Sequence, residues 1–134
     1  MLPADFREFI ELMISNGVQF VIIGGFAYNL YRNPRATGDI DVLVALNTEN
    51  EMRLRRTLED FGFGSALPPL KKRLLEDGKV IMLGRSPLRI DILTRIDGVE
   101  FVEVFDDRRE IDLEGLTLPI ISPEKLLKNR FIAK

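Results

Sequence analysis

This sequence predicts an α+β domain: one mixed β-sheet with helices packed mainly on one face. Two observations carry that expectation. Short β-branched runs such as Val18–Ile23 and Ile40–Leu46 are of strand length, and stretches with apolar residues at three- and four-residue spacing lie between and around them. Their order is helix, strand, short helix, strand, helix, strand, strand, followed by small β pieces and a terminal helix, which suits a sheet with helices laid against it.

The elements follow in order. Phe6, Phe9, Ile10, Met13 and Ile14 form one apolar stripe, predicting a helix from Asp5 to Ile14 that ends at Asn16-Gly17. Val18 to Ile23 follows as a strand. After Gly24-Gly25, Phe26 to Tyr31 reads as a short helix stopped before Pro34. Ile40 to Leu46 is the second strand. Thr48 with Glu51 three residues on has the form of a capping box, opening a helix that runs to about Phe61. Pro68-Pro69 marks a loop, with a short helical turn expected from Lys71 to Glu76. Lys79–Leu83 and Leu88–Thr94 predict a hairpin around Gly84 and Pro87. Val99–Val104 and Leu113–Ile121 read as shorter β segments, and Ser122-Pro123 opens a final helix through Phe131.

A chain of 134 residues corresponds to one domain, 1–134, without repeats or low-complexity tracts. Its 46% apolar and 30% charged residues suit a globular core with a solvated surface. No apolar run approaches the ~18 residues of a membrane span, and the start MLPADFREF lacks the layout of a signal peptide, so a cytoplasmic protein with no membrane association is expected. Cysteine and histidine are both absent, which removes disulfides, thiolate sites, thiol catalysis and the commonest general base. Any chemistry must rest on carboxylates, Lys, Arg, Ser, Thr or Tyr. The net charge of −2 argues against a surface built wholly for nucleic acid.

Within this frame the stretch GGFAYNLYRNPRATGDIDVLV is unusual, because Asp39 and Asp41 interrupt an apolar strand. Strand alternation points both to one face while Ile40 and Val42 point to the other. Two residues span about 6.6 Å, and carboxylates rooted that far apart can converge on cations between them. Asp91 repeats the pattern in LRIDILT. Three such acids on neighbouring strands suggest a shared cation, since a lone aspartate in a strand is disfavoured and costly if buried unpaired. The plainer alternative puts Asp39 in a turn, pairs Asp41 with an arginine such as Arg35 or Arg89 and leaves Asp91 in solvent. Gly24-Gly25, between strand and helix, would let a phosphate approach backbone N–H groups at a helix N-terminus.

The pattern of apolar-Gly-Gly, short helix, Arg-x-Thr-x-Asp-apolar-Asp-apolar and a later third Asp resembles the nucleotidyltransferase superfamily of the DNA polymerase beta type. It is similar in particular to the minimal stand-alone prokaryotic branch often found in toxin/antitoxin operons. The resemblance is strongest over residues 18–45 and extends by pattern to Asp91. It implies that Gly24 and Gly25 cradle the β- and γ-phosphates of a nucleoside triphosphate, with ATP the expected donor. Asp39 and Asp41 would hold two Mg²⁺ ions, and Asp91 would complete the metal set and help activate an attacking hydroxyl. Arg35 and Thr37 fall in register with the family motif, Arg35 either contacting a phosphate or holding the aspartates, and Thr37 positioning the loop.

The implied reaction moves NMP to a hydroxyl of a protein, RNA or small molecule and releases pyrophosphate. The same resemblance leaves room for a catalytically weak or inactive family member acting as a toxin/antitoxin partner, for a small helical partner protein and for a homodimer. Many relatives of this branch continue beyond a terminal helix of the SPEKLLKNR kind with a Lys-Asp pair, whereas this sequence ends at Lys134, an ending expected to remove part of the substrate cleft or dimer surface. Lys71, Lys72 and Arg73, and Arg85, Arg89 and Arg95, are the basic groups available to meet substrate charge or simply to solvate the surface. Phe26, Tyr28, Leu30 and Tyr31 are expected to pack.

Overall fold

Helix α1 (Ala4–Ser15) forms where the predicted stripe lies, and Phe6, Phe9, Ile10 and Met13 are fully buried. Removing each such side chain from water contributes about 1.5–3 kcal/mol. Ile14, assigned to the same stripe, instead faces solvent at 44% exposure. In this computed structural model residues 2–32, 39–70, 72–85 and 88–133 are described. The chain turns at Gly17, whose φ of +74° suits glycine, and enters β1 (Phe20–Ile23), buried throughout. Helix α2 (Gly24–Arg32) leads to β2 (Ile40–Val44) and α3 (Thr48–Leu58). The hairpin β3 (Val80–Arg85) and β4 (Leu88–Leu93) forms as predicted. Next come α4 (Phe101–Asp106), β5 (Arg109–Leu113), β6 (Leu116–Ile120) and α5 (Pro123–Ala133).

The six strands form one mixed sheet in the order β3-β4-β2-β1-β6-β5. β1 pairs antiparallel with β2 and parallel with β6, while β2 and β4 run parallel. Ile40, Val42, Ile90 and Ile92 lie on one face of β2 and β4, each at most 3% exposed. Phe6 of α1 lines a cleft with Leu83 and Ile90, so α1 lies over that face, and α3 packs against α1. Among the described residues no helix is long and apolar enough to cross a membrane.

Several local expectations are corrected. Helix α2 begins at Gly24 itself, so the glycines form its first turn. The cap of α3 is Asn47, whose side chain accepts from Asn50 N at 2.8 Å, rather than Thr48. Glu51 is thereby freed for a tertiary role: it accepts from Leu75 N at 2.9 Å and pairs with Arg55 at 3.5 Å. Arg55, only 4% exposed, donates to Pro68 O and Lys72 O, both at 2.7 Å, and ties the proline loop to α3. Carbonyls and one carboxylate satisfy its buried charge. Residues 72–76 are not helical.

Residues Val99–Val104 do not form a strand. Phe101–Asp106 is helical because Glu100 and Glu103 build a reciprocal capping box, Glu100 N donating to Glu103 Oε1 at 3.0 Å. The expected single β piece Leu113–Ile121 is the end of one strand and the whole of a second. Glu114 (φ +52°) and Gly115 (φ +84°) form the two-residue turn between β5 and β6, both with the positive φ that tight hairpins use.

Candidate active site

The parallel pairing of β2 with β4 sets Asp41 directly beside Asp91, and Ile23 of β1 is the partner of Asp41 on its other side. With the flanking isoleucines and Val42 turned into the core, alternation brings both carboxylates to the opposite face. Asp39 precedes β2 by one residue and shares that face. Its Oδ1 accepts the backbone N–H of Arg89 at 3.2 Å, drawing it toward β4. The structure thus brings the three predicted acids together.

Arg89 joins them. Two residues before Asp91, it lies on the same strand face, and its Nε and Nη2 donate to Asp91 Oδ1 and Oδ2 at 2.9 and 3.1 Å. Nη2 also lies 3.5 Å from Asp39 Oδ2. Fork-on-fork pairing of this kind is strong and directional. The sequence offered Arg89 as an alternative partner of Asp41, as a group to meet substrate charge or as a surface cation, and not as the partner of Asp91. Its spacing of two from Asp91 is the signal that places it here.

Gly24 closes the site on the β1 side. Its φ is +68°, and a Cβ built there would lie 2.5 Å from Asp41 Oδ2. Both the backbone and the available space therefore call for glycine beside this carboxylate. Gly25 is exposed, and an added Cβ would meet nothing within 4 Å, so the first turn of α2 is open to solvent.

These neighbours decide the electrostatics. Burial first, then the charges of Asp91 and Asp39, push the Asp41 carboxyl up to about 6 against the pull of Arg89. The Arg89 guanidinium is correspondingly held above its usual range by its bonds to Asp91. Among the described residues no group of three or more His, Cys, Asp or Glu converges so as to hold a metal ion. The chemistry of the donors nevertheless fits a hard divalent cation: all are carboxylate oxygens, and the raised Asp41 marks a site short of positive charge. Arg89 supplies part of that charge.

Arg35, Thr37 and Lys71 lie outside the described residues. Lys72 and Arg73 are exposed on the loop fastened by Arg55. Tyr31 donates to Ile121 O at 2.7 Å and pins α2 to the start of α5, while Arg32 lies over the Tyr28 ring at 5.2 Å and bonds its hydroxyl at 2.7 Å. Phe26 and Leu30 are buried. The helix therefore packs as expected. A cavity of about 700 Å³ lies at the far ends of β2 and β4, between Leu43, Thr94 and Phe101, and includes none of the three aspartates. Charge and the glycine approach, rather than concavity, mark the candidate site.

No protein-family model and no curated protein matches this chain. Among solved structures it is similar to the crystal structure of a provisionally named nucleotidyltransferase from Thermotoga maritima. The TM-score is 0.60 at 16% identity, over 99% of this chain and 87% of that one. At that identity the likeness is one of fold, and the mixed six-stranded architecture is the nucleotidyltransferase fold expected from the motif.

Proposed function

We propose that this protein is a magnesium-dependent nucleotidyltransferase that moves NMP from a nucleoside triphosphate, with ATP the expected donor, to a hydroxyl of a protein, RNA or small-molecule acceptor. The observation that carries this reading is the meeting of Gly24 with Asp41 and of Asp41 with Asp91 on one face of a nucleotidyltransferase-type sheet. Neither a phosphate turn nor an acidic strand is specific alone. Their contact across 17 residues of sequence joins the two halves of one site.

In this reading the open first turn of α2 receives the β- and γ-phosphates on backbone N–H groups at the positive end of the helix. Asp39, Asp41 and Asp91 would hold the Mg²⁺ ions, which when bound neutralise triphosphate charge and lower the pKa of the nucleophile. Asp91 helps take the proton of the acceptor hydroxyl as its oxygen bonds to the α-phosphorus. The bond from that phosphorus to the β-phosphate oxygen breaks, and pyrophosphate leaves. Arg35 and Thr37 are assigned to the phosphates and the loop before β2 from the sequence motif.

Thermal melting tests the reading. At about 100 times the dissociation constant, Mg-ATP should stabilise the parent by ~2.7 kcal/mol, roughly 8–12 °C for a domain of this size. The double substitution Asp39→Asn with Asp41→Asn should remove that gain. Identical melting of the parent with and without Mg-ATP would refute the nucleotide site. A second reading, a fold kept without turnover in a toxin–antitoxin pair with a small helical partner, is favoured by the hold of Arg89 on Asp91 and Asp39. Triphosphates labelled at the α-phosphorus and offered to a cell lysate separate the two: the enzyme labels an acceptor, whereas the binding protein is stabilised by Mg-ATP and labels nothing.

A further inference from the structure

Arg89 occupies both oxygens of Asp91, touches Asp39 with the same Nη2, and binds Asp39 again through its backbone N–H. Its side chain is 36% exposed, against 13% for Asp91. The carboxylate is therefore held in place while the guanidinium has a way out toward solvent. A divalent cation on the same oxygens would lie within a few ångströms of the guanidinium and repel it.

We propose that Arg89 is the resting counter-cation of this site: it competes with the divalent cation for Asp91 and Asp39 and so sets the affinity for metal. The inference rests on the reading of these aspartates as metal-holding residues. Arg89 is a positioning residue here, acting through the carboxylates it holds. The simpler alternative, a fixed structural ion pair, makes the opposite prediction, because removing a structural partner loosens the aspartates and weakens metal binding.

Mn²⁺ binding in the absence of nucleotide, followed by electron paramagnetic resonance, distinguishes them. Arg89→Met should bind Mn²⁺ about fivefold more tightly than the parent, the modest gain that loss of a partly exposed ion pair allows. Arg89→Lys, which keeps a charge without the fork, should fall between. Equal or weaker binding by Arg89→Met overturns the competition and leaves the metal site standing. If Mn²⁺ binds neither protein, the competition is likewise overturned, and Mg-ATP melting of the parent decides the proposed function separately. Should Arg89→Met fail to fold, the parent supplies the test by nuclear magnetic resonance. The Arg89 Nε–H signal should shift as Mg²⁺ saturates the site, and an unmoved signal rules the exchange out.

Discussion

Replacing Asp41 by Asn should stabilise the metal-free protein near neutral pH while removing its response to Mg-ATP. The carboxyl is raised from 3.8 to about 6 by burial and by Asp91 and Asp39. An acid whose folded pKa is raised is more protonated in the folded than in the unfolded chain between those two values. Stability from this group is therefore full below pH ~4, declines as pH rises to about 6, and stays low above. The rise from 3.8 to about 6 corresponds to ~3 kcal/mol at most, and solvent screening at this half-buried position reduces it to about 1–2 kcal/mol. Asn carries no such slope and resembles the protonated acid in shape. Urea unfolding in a chelator should therefore give equal stabilities for parent and Asp41→Asn near pH ~4, with the variant ahead by about 1–2 kcal/mol near pH ~7.5. A difference that does not grow between those pH values would refute the account in which burial and the neighbouring carboxylates raise Asp41.

Two further predictions concern the backbone. Gly24→Ala should cost about 1–2 kcal/mol from its positive φ alone and abolish Mg-ATP stabilisation by displacing Asp41. Gly25→Ala should leave stability within about 0.5 kcal/mol yet weaken the same ligand response, and thermal melts with and without Mg-ATP compare the two. For α3, Asn47→Ala should cost about 1 kcal/mol by denaturant unfolding and Thr48→Ala about 0.5 kcal/mol or less. The reverse ranking would return the cap to Thr48.

How legible each element was follows from how local its cause is. Helix α1, the β3–β4 hairpin and α5 were readable because periodicity or turn chemistry acts within a few residues. Val99–Val104 misled because six residues containing Val99, Phe101, Val102 and Val104 fit either period, and the capping box of Glu100 with Glu103 settled the matter in favour of helix. Strand β5 was missed, apart from Leu113, because Arg109, Glu110 and Asp112 are exposed on an edge strand and the alternation is carried by Ile111 and Leu113 alone, too short a pattern to read. Glu51 had the local form of a capping residue, but its carboxylate is taken by Leu75 N and Arg55, partners 24 and 4 residues away. No local pattern announces the buried role of Arg55.

For the site, the sequence by itself determined that Asp39 and Asp41 share a face, that Asp91 opposes its aliphatic neighbours, and that glycine stands at the turn after β1. These follow from the two-residue period of a strand and from the absence of a side chain. Only the tertiary structure decided that Asp41 sits beside Asp91, that Gly24 yields its Cβ space to Asp41, and that Arg89 rather than solvent receives Asp91. Register between strands is a long-range pairing chosen by the burial of Ile40, Val42, Ile90 and Ile92 on the other side of the sheet. The hydrophobic face of the sheet thus sets where its charges meet.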